Sequence, residues 1–271
     1  MVDYVEAVPD FTALGRLDGR GTIVIGAGQG IGRHTAHALH AAGAQVAIVD
    51  VNPELARQLA SEVEGIAVTA DVRHEVEIQH ALDTAVAAFG RVHAVVDIVG
   101  IGKFAPILDL TDTDWTDSYD TDFRHVTHVV RVMGRYLAGQ GAGSMVFIGS
   151  ISGLVSAPNH AAYGSFKAAL HSVVHTAGFE LATANVRVNA VAPGQTATPR
   201  VLAQLRDLER VGVLGGLPQA RDIGAAAYFL CPDLSRLVAG QCLVVDAGQT
   251  LAYPVEVPGG IVATQAQSGA G

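Results

Sequence analysis

The sequence has very few cysteines: only Cys231 and Cys242 occur among its 271 residues. Their spacing matches neither a zinc-binding pattern nor the framework of a small disulfide-rich protein. Two isolated thiols are typical of a reducing compartment, where cysteines usually pack in the core. The sequence therefore argues against a disulfide scaffold and against a cysteine-based metal site.

The chain also lacks an excess of basic residues. It has 17 lysines and arginines against 26 aspartates and glutamates, which gives a formal net charge of −9 at pH 7. This charge would repel nucleic acid and anionic membranes unless basic side chains were concentrated in one patch. The sequence shows no such patch, so we expect no polyanionic partner.

Long hydrophobic runs are missing as well. Nowhere do about 18 uncharged apolar residues follow one another, and the N-terminus lacks a basic segment followed by an apolar one. We therefore expect a soluble, cytoplasmic protein.

Among the 11 histidines, His34, His37 and His40 share part of a helix face. Metal sites usually add carboxylates or ligands from a second element, so we expect no metal.

What the sequence does contain is an alternation of short β-branched runs and longer alanine-rich, amphipathic runs. This alternation is typical of strand–helix–strand units. Because the short runs are uniformly apolar, we predict strands buried on both faces of a mostly parallel sheet, with helices on either side. Ligands of such α/β sheets bind at the carboxyl ends of the strands. The predicted strands are residues 22–25, 45–49, 66–70, 93–99, 144–149, 186–192 and 241–246.

We predict one domain, residues 1–271, with three peripheral segments. Residues 1–18 form an N-terminal extension. Residues 195–222 mix apolar side chains and arginine with Gly-Gly and Pro, as expected of a mobile lid or substrate-binding loop. Residues 253–271 form a Pro- and Gly-rich tail that is either disordered or laid across a partner subunit.

A glycine-rich segment, GAGQGIG, follows the first predicted strand, from Gly26 to Gly32. It does not fit G-x-G-x-x-G but fits G-x-x-x-G-x-G, whose physical requirements are similar. Gly26 permits a tight turn, Gly30 lets the backbone approach a pyrophosphate, and Gly32 lets the next helix pack closely on the sheet. The segment, which includes Gln29 and Ile31, is predicted to bind a dinucleotide; a plain strand-to-helix turn is the alternative.

Asp50 ends the second predicted strand. An acidic side chain at this point accepts hydrogen bonds from the ribose hydroxyls of NAD and repels the 2′-phosphate of NADP. Since neither Val51 nor Asn52 offers a positive charge, NAD is the predicted cofactor. The alternative is that Asp50 only caps the helix that begins near Pro53.

Two ionisable side chains, Tyr163 and Lys167, interrupt the small-residue segment AAYGSFKAAL, residues 161–170. Residues four apart lie on one face of a helix, so the phenol and the ammonium point into the same space. An unperturbed phenol has a pKa of about 10, and a positive charge one turn away favours the phenolate. The pair therefore indicates either simple packing or a tyrosine that exchanges protons.

With these residues in place, the chain resembles the short-chain dehydrogenase/reductase family from about Gly19 to Ala252. The resemblance implies a Rossmann-like, doubly wound α/β fold with a seven-stranded, mostly parallel sheet. It also implies an NAD-dependent oxidoreductase that interconverts a secondary alcohol and its ketone. The motifs that carry it are GAGQGIG (26–32), ADV (70–72), IGSISG (148–153), YGSFK (163–167), VRVNAVAPGQTATP (186–199) and GQCLVVDAG (240–248).

The resemblance implies roles for individual residues. Ser150, thirteen residues before Tyr163, would bind the substrate oxygen, and Tyr163 would be the general acid/base. Lys167 would bind the nicotinamide ribose and lower the pKa of the tyrosine. Asp71 and Val72 would contact adenine, the Pro193–Gly194 turn and Thr198 would hold the carboxamide, and Val51, Gly100 and Thr196 are further expected cofactor contacts.

Two segments depart from the family's pattern. The family's Asn-Asn-Ala-Gly run reads DIVG at residues 97–100, so we expect a differently built turn there. Seven residues after Trp115 the family has an active-site asparagine, and this chain has Asp122. Asp122 is predicted to support a proton relay through its carbonyl and to oppose the charge of Lys167, which gives an alkaline pH optimum. A helix-face carboxylate without a catalytic part is the alternative.

Two other functions stay open. One is a dinucleotide-binding protein without turnover, against which the intact Ser150, Tyr163 and Lys167 argue. The other is an enzyme that oxidises cis-dihydrodiols to catechols. The resemblance further implies a homotetramer, or a homodimer, that packs through helices at about 113–137 and 161–182.

The substrate is expected to be apolar and of moderate size, because apolar residues surround the predicted pocket, although core packing explains each of them equally well. Asn159 and His160 are placed either at the pocket entrance or in a surface turn. The apolar residues are Ile151, Leu154, Val155, Val201, Leu202, Leu205 and Leu208.

Overall fold

Seven parallel strands form a single sheet in the computed structural model, which describes residues 8–202, 213–214 and 216–251. The strand order is β3-β2-β1-β4-β5-β6-β7. The order reverses between β1 and β4, so the ligand-binding crevice of this fold class lies at the carboxyl ends of these two strands. The strands are β1 Gly21–Ile25, β2 Gln45–Asp50, β3 Ile66–Thr69, β4 Val92–Asp97, β5 Gly143–Ile148, β6 Val186–Pro193 and β7 Cys242–Val245.

Helices cover both faces of the sheet, as predicted for a doubly wound α/β fold. Successive residues of β1 show this, because Ile23 and Ile25 belong to one buried cluster and Val24 to another. The first cluster includes residues of α4, α6 and α7, and the second includes residues of α2, α3 and α9. These helices are α2 Gly30–Ala41, α3 Pro53–Glu62, α4 Glu75–Phe89, α6 His125–Gly139, α7 Ala161–Ala182 and α9 Ala220–Phe229; α1 Phe11–Leu14, α5 Asp112–Tyr119 and α8 Pro199–Leu202 are shorter.

Burial of the strands is less uniform than predicted. The inner strands have buried cores, but β3 and β7 are partly exposed, and Leu243 and Val244 of β7 are each 38% exposed. The reason is position: β3 and β7 are the two edges of the sheet and have a neighbouring strand on one side only. Apolar sequence alone does not distinguish an edge strand from a central one.

The helical segment predicted for residues 113–137 is present, but a π turn interrupts its α-helical geometry. A capping box between Thr111 and Asp114 starts α5, and one turn of π-helix, Asp120–Arg124, separates α5 from α6. A π turn inserts an extra residue and changes which side chains face inward. Here it contains Asp122, which is fully buried. The helix predicted for residues 161–182 is α7, with the same bounds.

Several predicted features lie outside the described residues. These are the tail at residues 253–271, most of the loop at residues 203–215, and with it Leu205 and Leu208. The N-terminal extension is described from Val8 onward. Among the described helices, none combines the length and the apolar character that a membrane crossing requires.

Candidate active site

The glycine-rich loop turns from β1 into α2 with little space around it. Gly26 and Gly30 have φ values of +74° and +58°, which only glycine adopts readily. A β-carbon on Gly32 would overlap the Gly26 carbonyl and lie 2.6 Å from the α-carbon of Ala27. A β-carbon on Gly30 would lie 3.7 Å from Cγ2 of Thr198. The loop therefore packs tightly on the sheet and faces the segment that follows β6.

The N-terminus of α2 carries no side-chain cap. Gln29 occupies the cap position in an extended conformation and makes no side-chain bond to the first amides of the helix. Ile31 follows in the first turn, and its carbonyl accepts a hydrogen bond from Thr35. Uncapped amides at a helix N-terminus that follows a glycine loop suit a phosphate group.

Asp50 connects the end of β2 to the glycine loop. Its carboxylate accepts hydrogen bonds from the main-chain N–H groups of Gly28, at 2.8 Å, and Asn52, at 2.9 Å. Helix α3 is capped by Asn52, whose Oδ1 accepts from Glu54 and Leu55. The alternative interpretation of Asp50 as the helix cap is therefore wrong. Val51, the next residue, is 65% exposed.

The arginines of α2 and α3 are both paired with glutamates. Arg33 lies 2.5 Å from Glu62, and Arg57 lies 2.9 Å from Glu54. His37 also contacts Glu62, at 3.0 Å. A 2′-phosphate near Asp50 would thus meet a carboxylate and no uncommitted arginine of these two helices. The described residues contain no group of three or more side chains suited to hold a metal ion.

The predicted adenine contacts are already engaged within the chain. Asp71 forms a salt bridge with Arg73, and this partner holds the pKa of the Asp71 carboxyl below its ordinary value. Val72 is 6% exposed, and its carbonyl lies 3.4 Å from Nδ1 of His128. Any contact from this pair to an adenine ring would therefore come from main-chain atoms or from the exposed part of the Asp71 side chain.

The segment after β6 is held close to the loop before the C-terminal tail. A β-carbon on Gly194, the residue after Pro193, would lie 2.7 Å from Oε1 of Gln249. Thr196 is buried, and its hydroxyl donates to the Gly194 carbonyl at 2.8 Å. Thr198 faces the glycine loop across Gly30. The side chain of Thr196 thus stabilises the turn, whereas Thr198 faces the predicted cofactor groove.

The three predicted catalytic side chains lie at the end of β5 and on α7. Ser150 is 8% exposed, and its Oγ accepts the N–H of Ser152 at 3.1 Å. Lys167 is 2% exposed; its Nζ donates to the carbonyl of Ile148 at 3.0 Å and lies 5.7 Å from the centre of the Tyr163 ring. The buried ammonium is therefore fixed to the strand that carries Ser150, beneath the phenol ring.

Gly100 lies close to both the ammonium of Lys167 and the carboxylate of Asp122. A β-carbon on Gly100 would stand 2.9 Å from Nζ of Lys167 and 3.5 Å from Oδ1 of Asp122. The same Oδ1 accepts the N–H of Ile101 at 2.9 Å. Burial lowers the pKa of Lys167, and the carboxylates of Asp122 and Asp97 oppose that shift. The carboxylate of Asp122 is thus close enough to Lys167 to act on its charge.

The turn at residues 97–100 is held by a buried hydrogen bond between a carboxylate and an imidazole, and the sequence did not indicate the histidine partner. Asp97 and His125 are each 1% exposed, with Oδ2 of the carboxylate 2.7 Å from Nδ1 of the ring. The other oxygen of Asp97 accepts the N–H of Val99 at 3.1 Å. His125 follows the π turn directly, so its inward orientation depends on an interruption of the helix that no sequence signal announced.

His171 is a second buried histidine that sequence reasoning missed. It is 4% exposed, and neither ring nitrogen makes a hydrogen bond of ordinary geometry with a described residue. The imidazole lies against the glycines on either side of the Ser150 turn: a β-carbon on Gly149 would overlap it, and one on Gly153 would stand 2.9 Å away. Burial, and then the charge of Lys167, lower the pKa of His171 to about 4. The sequence signal for His171 was its position four residues after Lys167, which places both side chains on one face of α7.

Aromatic rings surround Tyr163 at the mouth of the site. Phe104 lies 5.3 Å from the Tyr163 ring and 4.7 Å from the His160 ring, and His160 lies 6.0 Å from Tyr163. Leu154 and Val155, which follow the Ser150 turn, are 47% and 46% exposed. Apolar side chains left open beside a polar centre are typical of a binding surface.

Known proteins resemble this chain in sequence and in fold. Residues 26–250 match a family model described as enoyl-(acyl carrier protein) reductase. The 7α-hydroxysteroid dehydrogenase of Escherichia coli is 30% identical over 246 residues, covering 86% of this chain and 95% of that protein. Cyclopentanol dehydrogenase of Comamonas sp. is 32% identical over 248 residues, covering 88% and 99%. A solved 7α-hydroxysteroid dehydrogenase, complexed with NADH and 7-oxo glycochenodeoxycholic acid, superposes with a TM-score of 0.84 at 29% identity, covering 88% of this chain and 96% of that one.

Proposed function

The chain belongs to the short-chain dehydrogenase/reductase family, and on that premise we propose that it is an NAD-dependent oxidoreductase that interconverts a secondary alcohol and its ketone. The observation that carries the proposal is the buried Lys167 ammonium beneath the Tyr163 ring, held at the strand end that bears Ser150. A structural role alone would not require a buried lysine, because burying an ammonium group is costly.

Tyr163 is the proposed general acid/base. In the oxidation direction its phenolate takes the proton of the alcohol while the carbon–hydrogen bond of the carbinol breaks. The charge of Lys167 favours the phenolate, since an opposite charge nearby stabilises the ionised form. Ser150 donates a hydrogen bond to the substrate oxygen and keeps it in line with the phenol.

NAD is the proposed cofactor, and when bound it supplies the hydride acceptor. The glycine loop fits its pyrophosphate, because β-carbons at these positions would fill or strain the turn, and the start of α2 is uncapped. Asp50 supports NAD over NADP, because its carboxylate would repel a 2′-phosphate. Lys167 would hold the nicotinamide ribose and Thr198 the carboxamide, as the resemblance implies.

Asp122 is proposed to serve the proton relay behind Lys167. Its carboxylate and the Lys167 ammonium both lie close to Gly100, and this proximity supports the role. Its negative charge partly cancels the effect of Lys167 on the phenol, so oxidation should be fastest on the alkaline side of neutrality. A carboxylate with no catalytic part would leave the pH profile independent of this residue.

An apolar alcohol or ketone of moderate size is the proposed substrate. The exposed Leu154, Val155 and Phe104 near the site support this, and the two relatives described above are named for cyclic alcohols, a hydroxysteroid and cyclopentanol. We also propose a homotetramer or homodimer, supported by apolar side chains left open on β7 and by Phe179 of α7, which is 83% exposed. The cytoplasmic location stays a prediction.

The direct test is an absorbance assay at the NADH band with purified protein. A panel of cyclic and open-chain secondary alcohols is offered with NAD⁺ and, separately, with NADP⁺. We expect oxidation of at least one alcohol, with kcat/KM for NAD⁺ at least about tenfold higher than for NADP⁺, a difference of about 1.4 kcal/mol. Tight dinucleotide binding without turnover of any alcohol would instead favour the non-catalytic alternative.

A further inference from the structure

His160 stands three residues before Tyr163 and is linked to Ser150 by hydrogen bonds. Nδ1 of His160 lies 2.8 Å from Oγ of Ser152, and the N–H of Ser152 donates to Oγ of Ser150 at 3.1 Å. A short polar chain thus runs from the proposed substrate-oxygen ligand to the imidazole. No part of the proposed alcohol oxidation uses this chain.

The ring of His160 is fixed in place from several sides. Its centre lies 4.7 Å from that of Phe104 and 6.0 Å from that of Tyr163, with the Tyr163 ring nearly perpendicular at 85°. The segment that carries Phe104 is itself held, because Ala105 donates its N–H to the carbonyl of Asn159 at 3.1 Å. A ring held at three points is pre-organised for a directional contact.

The second ring nitrogen, Nε2, makes no hydrogen bond with any described residue, and it is not among the buried atoms that lack a partner. It is therefore not a fully buried orphan atom, and its ring lies beside Phe104 and Tyr163 at the mouth of the site. Burial lowers the pKa of His160, so the ring is neutral at pH 7. A neutral imidazole held at Nδ1 offers one donor or one acceptor at Nε2, depending on the tautomer.

A hydroxyl group is the ligand that suits both tautomers. If Ser152 donates to Nδ1, then Nε2 carries the proton and donates to the hydroxyl oxygen. If Nδ1 donates to Ser152, then Nε2 accepts the hydroxyl proton. A carboxylate would suit only the first arrangement, and an ammonium only the second.

We propose that His160 is a specificity-determining residue that binds a second hydroxyl of the substrate, one or two carbons from the carbon that is oxidised. The preferred substrates are then diols and hydroxyketones with an otherwise apolar frame. Phe104 and Leu154 contact that frame, while Ser150 and Tyr163 hold the reacting oxygen. This inference rests on the proposed function, because it needs an alcohol at that site.

The test compares kcat/KM for 2-butanol and each stereoisomer of 2,3-butanediol with NAD⁺. Measured against the better enantiomer of 2-butanol, the diol has a statistical advantage of at most about twofold, so the inference requires a ratio of at least about tenfold for the best stereoisomer. His160→Phe keeps an aromatic ring against Phe104 and removes Nε2. We expect this variant to lower the ratio to about twofold; a general loss of activity cancels in the ratio.

Two further variants sharpen the test. His160→Gln restores a donor and an acceptor and should recover part of the ratio, and Ser152→Ala releases the ring and should lower it. His80→Phe, an exposed histidine of α4, is the matched control and should keep the wild-type ratio. Retention of NADH binding, followed by fluorescence, checks that each variant is folded.

The outcomes separate the two proposals. Wild-type protein that oxidises both alcohols with a ratio near two overturns the inference and leaves the proposed function intact. A His160→Phe ratio equal to that of wild type also overturns it. Absence of turnover with every secondary alcohol and both cofactors overturns the proposed function, and the inference with it.

Discussion

The two halves of the site depend on different kinds of interaction. The dinucleotide half, β1 to β3 with its loops, relies on backbone atoms, glycines and one carboxylate, Asp50, that accepts two main-chain N–H groups. The catalytic half, β4 to α7, relies on buried ionisable side chains packed against one another. The first half depends on close approach of backbone, and the second depends on which charges are present behind the phenol.

The difference matters because buried charges act on their neighbours much more strongly than exposed ones. In the catalytic half, Lys167 is opposed by Asp122 and Asp97, and Asp97 is itself paired with His125. Removing one member leaves the others uncompensated, which is costly in a buried network. Substitutions in this half should therefore alter activity and pH dependence, whereas those in the dinucleotide half should alter cofactor choice.

Among the variants that leave Tyr163 in place, the largest loss of activity is expected from Gly100→Ala. The new β-carbon would stand 2.9 Å from Nζ of Lys167, so the flexible ammonium must move away from its place beneath Tyr163. We expect kcat to fall by about a hundredfold, within the range that general acid/base groups contribute, with an unchanged circular dichroism spectrum. Gly139→Ala, where nothing lies within 4 Å of the new β-carbon, is the matched control. Equal kcat values for the two variants would contradict the placement of Lys167.

A smaller effect, on stability, is expected at His171. Its folded pKa of about 4 lies below the ordinary value of 6.5, so the unfolded chain binds the proton more readily and stability falls as the pH drops below 6.5. Between pH 7 and pH 5 this costs wild type about 2 kcal/mol. His171→Leu should lose that part of the pH dependence in urea unfolding.

His80→Leu provides the comparison for His171, because its side chain is exposed on α4. It should keep the wild-type dependence of unfolding free energy on pH. The same slope in all three proteins would mean that His171 is not held neutral by burial beside Lys167.

The next variant, Asp50→Asn, tests how the dinucleotide half selects its cofactor. Asp50→Asn keeps an oxygen that accepts from Gly28 and Asn52 but removes the charge. The ratio of kcat/KM for NAD⁺ to that for NADP⁺ should fall by about tenfold, or about 1.4 kcal/mol, with kcat for NAD⁺ changed much less. Asp83→Asn, an exposed acid of α4, should leave the ratio as it is in wild type. An unchanged ratio in Asp50→Asn would remove the argument for NAD.

The smallest effect is expected at Asp122. It is a shift of the pH profile of oxidation rather than a loss of activity. Asp122→Asn keeps an acceptor for the N–H of Ile101 and removes the negative charge that opposes Lys167. The phenolate of Tyr163 then forms more readily, so the acidic limb of log kcat/KM for oxidation should move to lower pH by about half a unit to one unit. If the profile stays in place, Asp122 is a buried carboxylate without electrostatic influence on the phenol.

Sequence reasoning succeeded where function depends on the backbone and on spacing along one element. The strands, helix α7, the turn at Gly26 and the packing at Gly32 follow from β-branched runs and glycine positions that read directly from the chain. The pairing of Tyr163 with Lys167 follows from helical periodicity, because both lie on α7. These features can be predicted without knowing which distant elements come into contact.

It failed where function depends on a contact between distant elements. The partner of Asp97 is His125, on a helix whose inward face depends on the π turn at Asp120–Arg124. The gap between Gly149 and Gly153 is filled by His171, which the chain brings there from another element. The contact of Asp97 with His125 follows from neither composition nor periodicity. The spacing of four between Lys167 and His171 indicates a shared helix face but not the contact with the two glycines. The alternative in which Asp50 caps α3 was also wrong, because Asn52 is the cap. Asp and Asn are both good caps, so the sequence does not choose between them.

The central claim is that Tyr163 transfers the proton of the alcohol. The most direct test is Tyr163→Phe, with kcat measured at the NADH band for the best alcohol and NADH affinity measured by fluorescence, beside Tyr119→Phe as a control on α5. The account predicts that kcat falls by at least about a thousandfold while NADH affinity stays within about twofold and the control keeps its activity. Retention of most of the wild-type turnover by Tyr163→Phe would contradict it.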